Sequence, residues 1–164
     1  MEFKIYLSNL GKYNEGELMG KWVNLPCNDI EEELAEIGVI PNTQYGEYSI
    51  TAYENDWDYA VEEYEDLWEL NELAERLADI DSNGDGDWLA AYMEAEGCEL
   101  EYALDHYADS IFYQGEDLES VAYDLVHECY DLPEIALRYF DYEAFIRDLR
   151  YDGYAETSYG VICP

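Results

Sequence analysis

The stretch DIDSNGDGDW, residues 79–88, carries oxygen ligands at alternate positions and raises the possibility of a bound calcium ion. Asp79, Asp81, Asn83 and Gly84 match the opening of a calcium loop, in which alternate side-chain oxygens converge on one ion and glycine allows the sharp turn. The closing bidentate glutamate is missing: the twelfth position is Ala90, and a frame restarted at Asp81 ends on Tyr92. The competing reading is an acidic turn between two helices, with Asp87 capping the second.

Other chemistry is harder to assemble. His106 and His127 lie in helical patterns without HExxH spacing, and no GxSxG, P-loop or GxGxxG is present. Cys27, Cys98, Cys129 and Cys163 form no close pair, so reduced, mostly buried thiols are expected rather than a zinc site. The chain therefore reads as a non-enzyme with no cofactor and no metal.

What remains is the acid itself: 41 Asp and Glu against 7 Lys and Arg, a formal net charge of −34. In VEEYEDLWELNELAERLAD, Glu65, Glu69, Glu72 and Asp79 fall on one helical stripe interrupted by Arg76, with Glu62, Asp66 and Glu75 beside it. Carboxylates at such spacing recur about every 5.4 Å along a helix, a fixed row of anions. At one charge per ~1.7 Å of axis, the net charge equals that of about 58 Å of duplex DNA. This balance excludes ordinary binding to nucleic acid or anionic membranes and points to basic partners. A halophilic or simply solvated acidic surface is the plain alternative.

The elements that position these acids can be read from periodicity. A hydrophobic fraction of 49% with 18 Tyr marks a folded chain despite its charge. Alternation in FKIYL, the turn-forming NLGKYNEG and MGKWVNL predict an N-terminal hairpin, and EYSITAY a third strand. Between them Asn28 and Glu31 form a capping-box pattern for a helix with Ile30, Leu34 and Ile37 inside and Gly38 at its end. From Asp66 a helix reaches about Asp79, and WLAAYMEAE forms the next, closed by Gly97. Helices follow at ELEYALDHYAD and at Leu118–Cys129, then short ones at LPEIALRYF and DYEAFIRDLR, the latter capped by Asp141. GYAETSYGVICP reads as a terminal strand. No apolar run approaches the roughly 20 residues of a membrane span.

Charge is partitioned along the chain. Residues 1–21 balance to zero, residues 22–137 hold 33 acids and only Arg76, and residues 138–164 carry Arg138, Arg147 and Arg150 against five acids. The expected class is α+β: an elongated chain of three small subdomains, a mixed N-terminal part (1–60), an acidic helical middle (61–109) and a mixed C-terminal part (110–164).

IYLSNLGKYNEGELMGKWVNLP, residues 5–26, resembles the opening of the ArdA-type antirestriction proteins. DLPEIALRYFDYEAFIRDL, residues 131–149, is similar to that family's antirestriction motif, with Leu132, Pro133, Glu134, Ala136, Leu137, Tyr139, Phe140 and Asp141 in corresponding places. The resemblance implies a small cytoplasmic bacterial protein, usually carried on mobile elements, that forms an elongated homodimer imitating bent B-form DNA. Its partner would be the DNA-binding groove of a type I restriction–modification enzyme. On that reading Glu31, Glu32, Glu33, Glu36, Glu62, Glu65, Asp66, Glu69, Glu72, Glu75, Asp79, Asp81 and Asp85 form the mimic surface. The nearly neutral residues 132–149 would make the dimer contact, Glu134 and Asp141 serving as helix caps there.

Overall fold

The computed structural model describes residues 2–163. The fold is mixed α+β with a helical middle region and divides into two compact units, Met1–Asn83 and Gly84–Pro164. The borders expected after residues 60 and 109 fall inside these units.

In the first unit, β1 (Phe3–Asn9) lies between β2 (Gly20–Asn24) and β3 (Tyr48–Asn55) in an antiparallel sheet. Strict alternation buries Phe3, Ile5 and Leu7 on one face. Ile5, Leu7, Val23 and Leu25 meet Ile30 of α2 (Ile30–Glu36) and Leu67 of α3 (Leu67–Asn83) around a small interior void. A bulge between Tyr6 and Leu7 shifts the pairing from Tyr6↔Ala52 to Leu7↔Ile50, leaving Thr51 as the extra residue.

Three local expectations for this unit need correction. The segment after β1 is not a simple turn but a short helix, α1 (Leu10–Asn14), because the buried Asn9 caps it: its Oδ1 accepts from the Lys12 amide at 3.0 Å. Asp29, not Asn28, caps α2, accepting from the Glu32 amide at 3.0 Å. The third concerns α3, which continues four residues past Asp79. Ile80 extends the buried stripe of Leu70, Leu73, Ala74 and Leu77, and the helix stops only before Gly84, whose φ of 82° suits glycine. Asp66 does cap α3, accepting from the Trp68 and Glu69 amides.

The second unit contains α4 (Gly86–Glu96), α5 (Leu100–His106), a 3₁₀ turn at Tyr107–Asp109, β4 (Ile111–Gln114), α6 (Leu118–Cys129), α7 (Glu134–Arg138), α8 (Tyr142–Tyr151), β5 (Ala155–Thr157) and β6 (Gly160–Cys163). Leu118, Val121 and Ala122 of α6 pack with Leu149 of α8 and Val161 of β6. Tyr113 and Tyr154 lean on this cluster, and burial pushes the Tyr154 phenol up to about 12. The C-terminal segment is a hairpin rather than one strand, and β6 pairs with both β4 and β5. Periodicity missed β4 because four residues are too few to show it. Asp87 does not cap α4. It lies in the first turn and accepts from Gln114 Nε2 at 2.9 Å, while Asp85 occupies the cap position without a side-chain bond.

The cysteines are less buried than expected. Cys27, Cys98 and Cys163 are half-buried, and Cys129, the last residue of α6, is exposed. Burial raises the Cys27 and Cys98 thiols above their ordinary range. Among the described residues no helix is long and apolar enough to cross a membrane.

Candidate functional site

Helix α3 separates its two faces cleanly. Leu67, Leu70, Leu73, Ala74, Leu77 and Ile80 are buried, so residues offset from them by about half a turn must point to solvent. Glu69, Glu72, Glu75, Arg76 and Asp79 are all exposed there, with Trp68 beside them. From Glu69 to Asp79 the row extends about 15 Å along the axis. The buried Asn71 secures the helix: its Oδ1 accepts from the Cys27 amide at 2.8 Å, and its Nδ2 donates to the Cys27 carbonyl and to Glu75.

The row begins later than the sequence suggested. Glu62, Glu65 and Asp66 precede the helix, and Glu65 is half-buried, accepting from the Tyr59 hydroxyl at 2.7 Å and the Glu62 amide at 2.9 Å. Asp66 is occupied as the cap. Glu65 and Asp66 thus position the face, which Glu69, Glu72, Glu75 and Asp79 present.

Helix α2 divides its acids in the same way. Glu31 and Glu32 are exposed, whereas Glu33 and Glu36 both pair with Lys21. Lys4 and Lys12 are likewise each held by two carboxylates: Lys4 by Glu2 at 2.8 Å and Glu54 at 2.6 Å, Lys12 by Glu17 at 3.0 Å and Glu15 at 3.8 Å. Hydrogen bonds to these carboxylates raise all three ammonium groups above the ordinary lysine range. The lysines therefore balance acids around the first sheet and leave the outer face of α3 anionic.

The calcium-loop geometry does not form. Asp79, Asp81 and Asn83 belong to α3, where residues two apart point to nearly opposite sides of the helix, so their oxygens diverge instead of converging on one ion. Among the described residues no group of three His, Cys, Asp or Glu side chains is arranged to hold a metal. The stretch is helix end, glycine turn and helix start.

The expected surface ends at Asp85, near the start of the second unit, and leaves out the acids around α6. Glu116, Asp117, Glu119 and Asp124 border an open depression with Ser120 and Tyr123. The signal was available: Leu118, Val121, Ala122 and Val126 are the buried stripe of α6, which leaves Glu119, Asp124 and Glu128 exposed.

The segment 132–141 is built differently. Helix α7 buries no residue, and Ile135 and Tyr139 are 68% and 78% exposed. Leu132, Ala136, Leu137 and Phe140 are half-buried, while Pro133 and Glu134 are exposed. Phe140 rests edge-on against Tyr142 and Phe145, and Tyr130 against Phe145, forming an aromatic group beside the exposed residues. Asp141 caps α8 through the Ala144 amide at 3.0 Å, as expected. Glu134 does not act as a cap: Pro133 holds that position and Glu134 lies in the first turn.

Both histidines are engaged within their own helices. Each stacks on the tyrosine four residues earlier, His106 on Tyr102 with centroids 4.0 Å apart and His127 on Tyr123 at 3.8 Å, and each Nδ1 lies within hydrogen-bond distance of that tyrosine's carbonyl.

A protein-family model described as Antirestriction protein (ArdA) matches residues 5–163. No curated protein matches the chain.

Proposed function

From a chain that belongs to the ArdA family of antirestriction proteins, we propose an inhibitor that imitates the charge of B-form DNA and occupies the DNA-binding groove of a type I restriction–modification enzyme. The observation that carries the reading is the outer face of α3, where exposed Glu69, Glu72, Glu75 and Asp79 stand on a helix whose other face is committed to the core. The helix fixes the spacing of the anions' attachment points, so when a basic groove closes over them the ordering cost falls on the side chains and not on the backbone. Exposed Glu31, Glu32, Glu62 and Asp81 belong to the same unit, and the second unit presents acids of its own in Asp85 and around α6. The protein works by occupancy and needs neither catalysis nor cofactor.

The same reading assigns residues 132–149 to contact with a second copy. Exposed Ile135 and Tyr139, half-buried Leu137 and Phe140, and the cations Arg138, Arg147 and Arg150 lie in or beside a C-terminal part of low net charge, so two strongly acidic chains can approach there. The wild-type test is competition between the protein and labelled DNA for a purified type I enzyme. Displacement of DNA that weakens with rising salt is expected; an enzyme that keeps its DNA at saturating protein would end the proposal.

A further inference from the structure

The first sheet has one face in the core, and Tyr6 and Ser8 of β1 point to the other. On that face lies a groove of about 380 Å³ walled by Tyr6, Tyr13, Leu18 and Met19, with Ser8, Thr51 and Glu63 among its lining. Its apolar walls stand open: Leu18 is 88% exposed, Tyr13 58% and Met19 41%. The groove is shaped by the backbone. The β1 bulge frees Thr51, whose hydroxyl lies 3.3 Å from Ser8 Oγ, and Gly20 keeps the space open, because a Cβ there would come within 2.5 Å of the Leu7 carbonyl and 2.8 Å of the Tyr6 ring.

Its charge is also defined. The three lysines of this unit are each engaged by two carboxylates, and Glu63 stands exposed at the groove. The cavity therefore offers a negative charge, the three hydroxyls of Ser8, Ser49 and Thr51, two aromatic rings and the apolar side chains of Leu10, Leu18 and Met19. A carboxylate or phosphate is repelled, and a purely aliphatic side chain leaves Glu63 unanswered. An arginine satisfies every part: its stem lies along Leu18 and Met19, its plane against a tyrosine ring, and its donors reach the carboxylate and hydroxyls.

We infer that this groove receives an arginine-bearing, apolar segment of the same basic enzyme that the acidic faces engage. The inference rests on the reading above and adds to it a contact of a different kind. Charge mimicry is distributed and weakens with salt, whereas a groove filled by apolar surface and a partly desolvated arginine resists screening.

Leu18→Asp separates the two mechanisms by sign. It adds an anion, which charge mimicry alone turns into tighter binding, and it breaks the apolar wall, which the groove turns into weaker binding. Affinity for a type I enzyme is measured by DNA displacement across a salt series, with thermal melting to confirm folding. The expected result is a log–log salt plot parallel to wild type and about tenfold weaker throughout. Glu63→Gln should also weaken binding by several-fold, unlike single neutralisations on α3. A Leu18→Asp curve that coincides with wild type or lies on its tighter side overturns the groove while leaving mimicry intact. A smaller sedimenting species for Leu18→Asp would make the occupant a second copy and overturn the assignment. Wild type that fails to displace DNA removes the underlying reading and this one with it.

Discussion

Several carboxylates in this acidic chain are tied to backbone amides, and they behave differently from those that face solvent. Asp117 caps α6, accepting from the Ser120 amide at 2.7 Å, and that hydrogen bond holds its carboxyl below the ordinary aspartate range. The bond favours the charged form in the folded state. Its stabilisation is therefore complete above the unfolded value near ~3.9 and is lost as pH falls through the lower folded value. Asp117→Ala should lower the melting temperature at neutral pH, and the difference from wild type should close as pH falls below the ordinary aspartate range, as thermal melts over a pH series would show. Equal destabilisation at all pH values would assign the effect to packing instead. A hydrogen-bonding side chain before an apolar run was legible in sequence for Asp66 and Asp141 but misplaced for Asn28 and Asp87. Neighbouring acids in such a chain offer several equivalent caps, and only backbone conformation selects one.

At the scale of the element, α3 shows what periodicity can and cannot specify. Its apolar stripe was legible from Leu70 to Leu77, and with it the outward direction of Glu69, Glu72 and Asp79. Its ends were not. Glu65 shares the spacing but is diverted by Tyr59 into the preceding loop, and the calcium-like residues continue the helix because buried Ile80 rewards another turn. If binding is distributed over this face, Glu69→Gln, Glu72→Gln or Asp79→Asn alone should change inhibition less than about twofold, since exposed ion contacts are individually weak. Combining them with Glu75→Gln and Glu31→Gln should weaken inhibition progressively and flatten its salt dependence. The measurement is a titration of a type I enzyme at several salt concentrations. One folded single variant on this face that lost all inhibition would contradict distributed mimicry.

For the whole molecule, the two ends carried the family resemblance that the match over residues 5–163 bears out. The α+β class was legible as well. Short β4 was not, since its partner β6 lies far along the chain, and the terminal hairpin was not, since its strands are too short to show a period. Assembly is tested by Tyr139→Asp: its side chain is exposed in the single chain, so the fold should survive while sedimentation shifts from dimer to monomer. An unchanged dimer would place the contact elsewhere. The lysines, finally, have a meaning for covalent modification. Because each is engaged by two carboxylates, acylating its amine removes one positive charge and also releases two acids from their pairing. Acetyl groups on Lys4, Lys12 and Lys21 would thus turn the most neutral part of the first unit into a new anionic surface, at the expense of the contacts that brace its sheet.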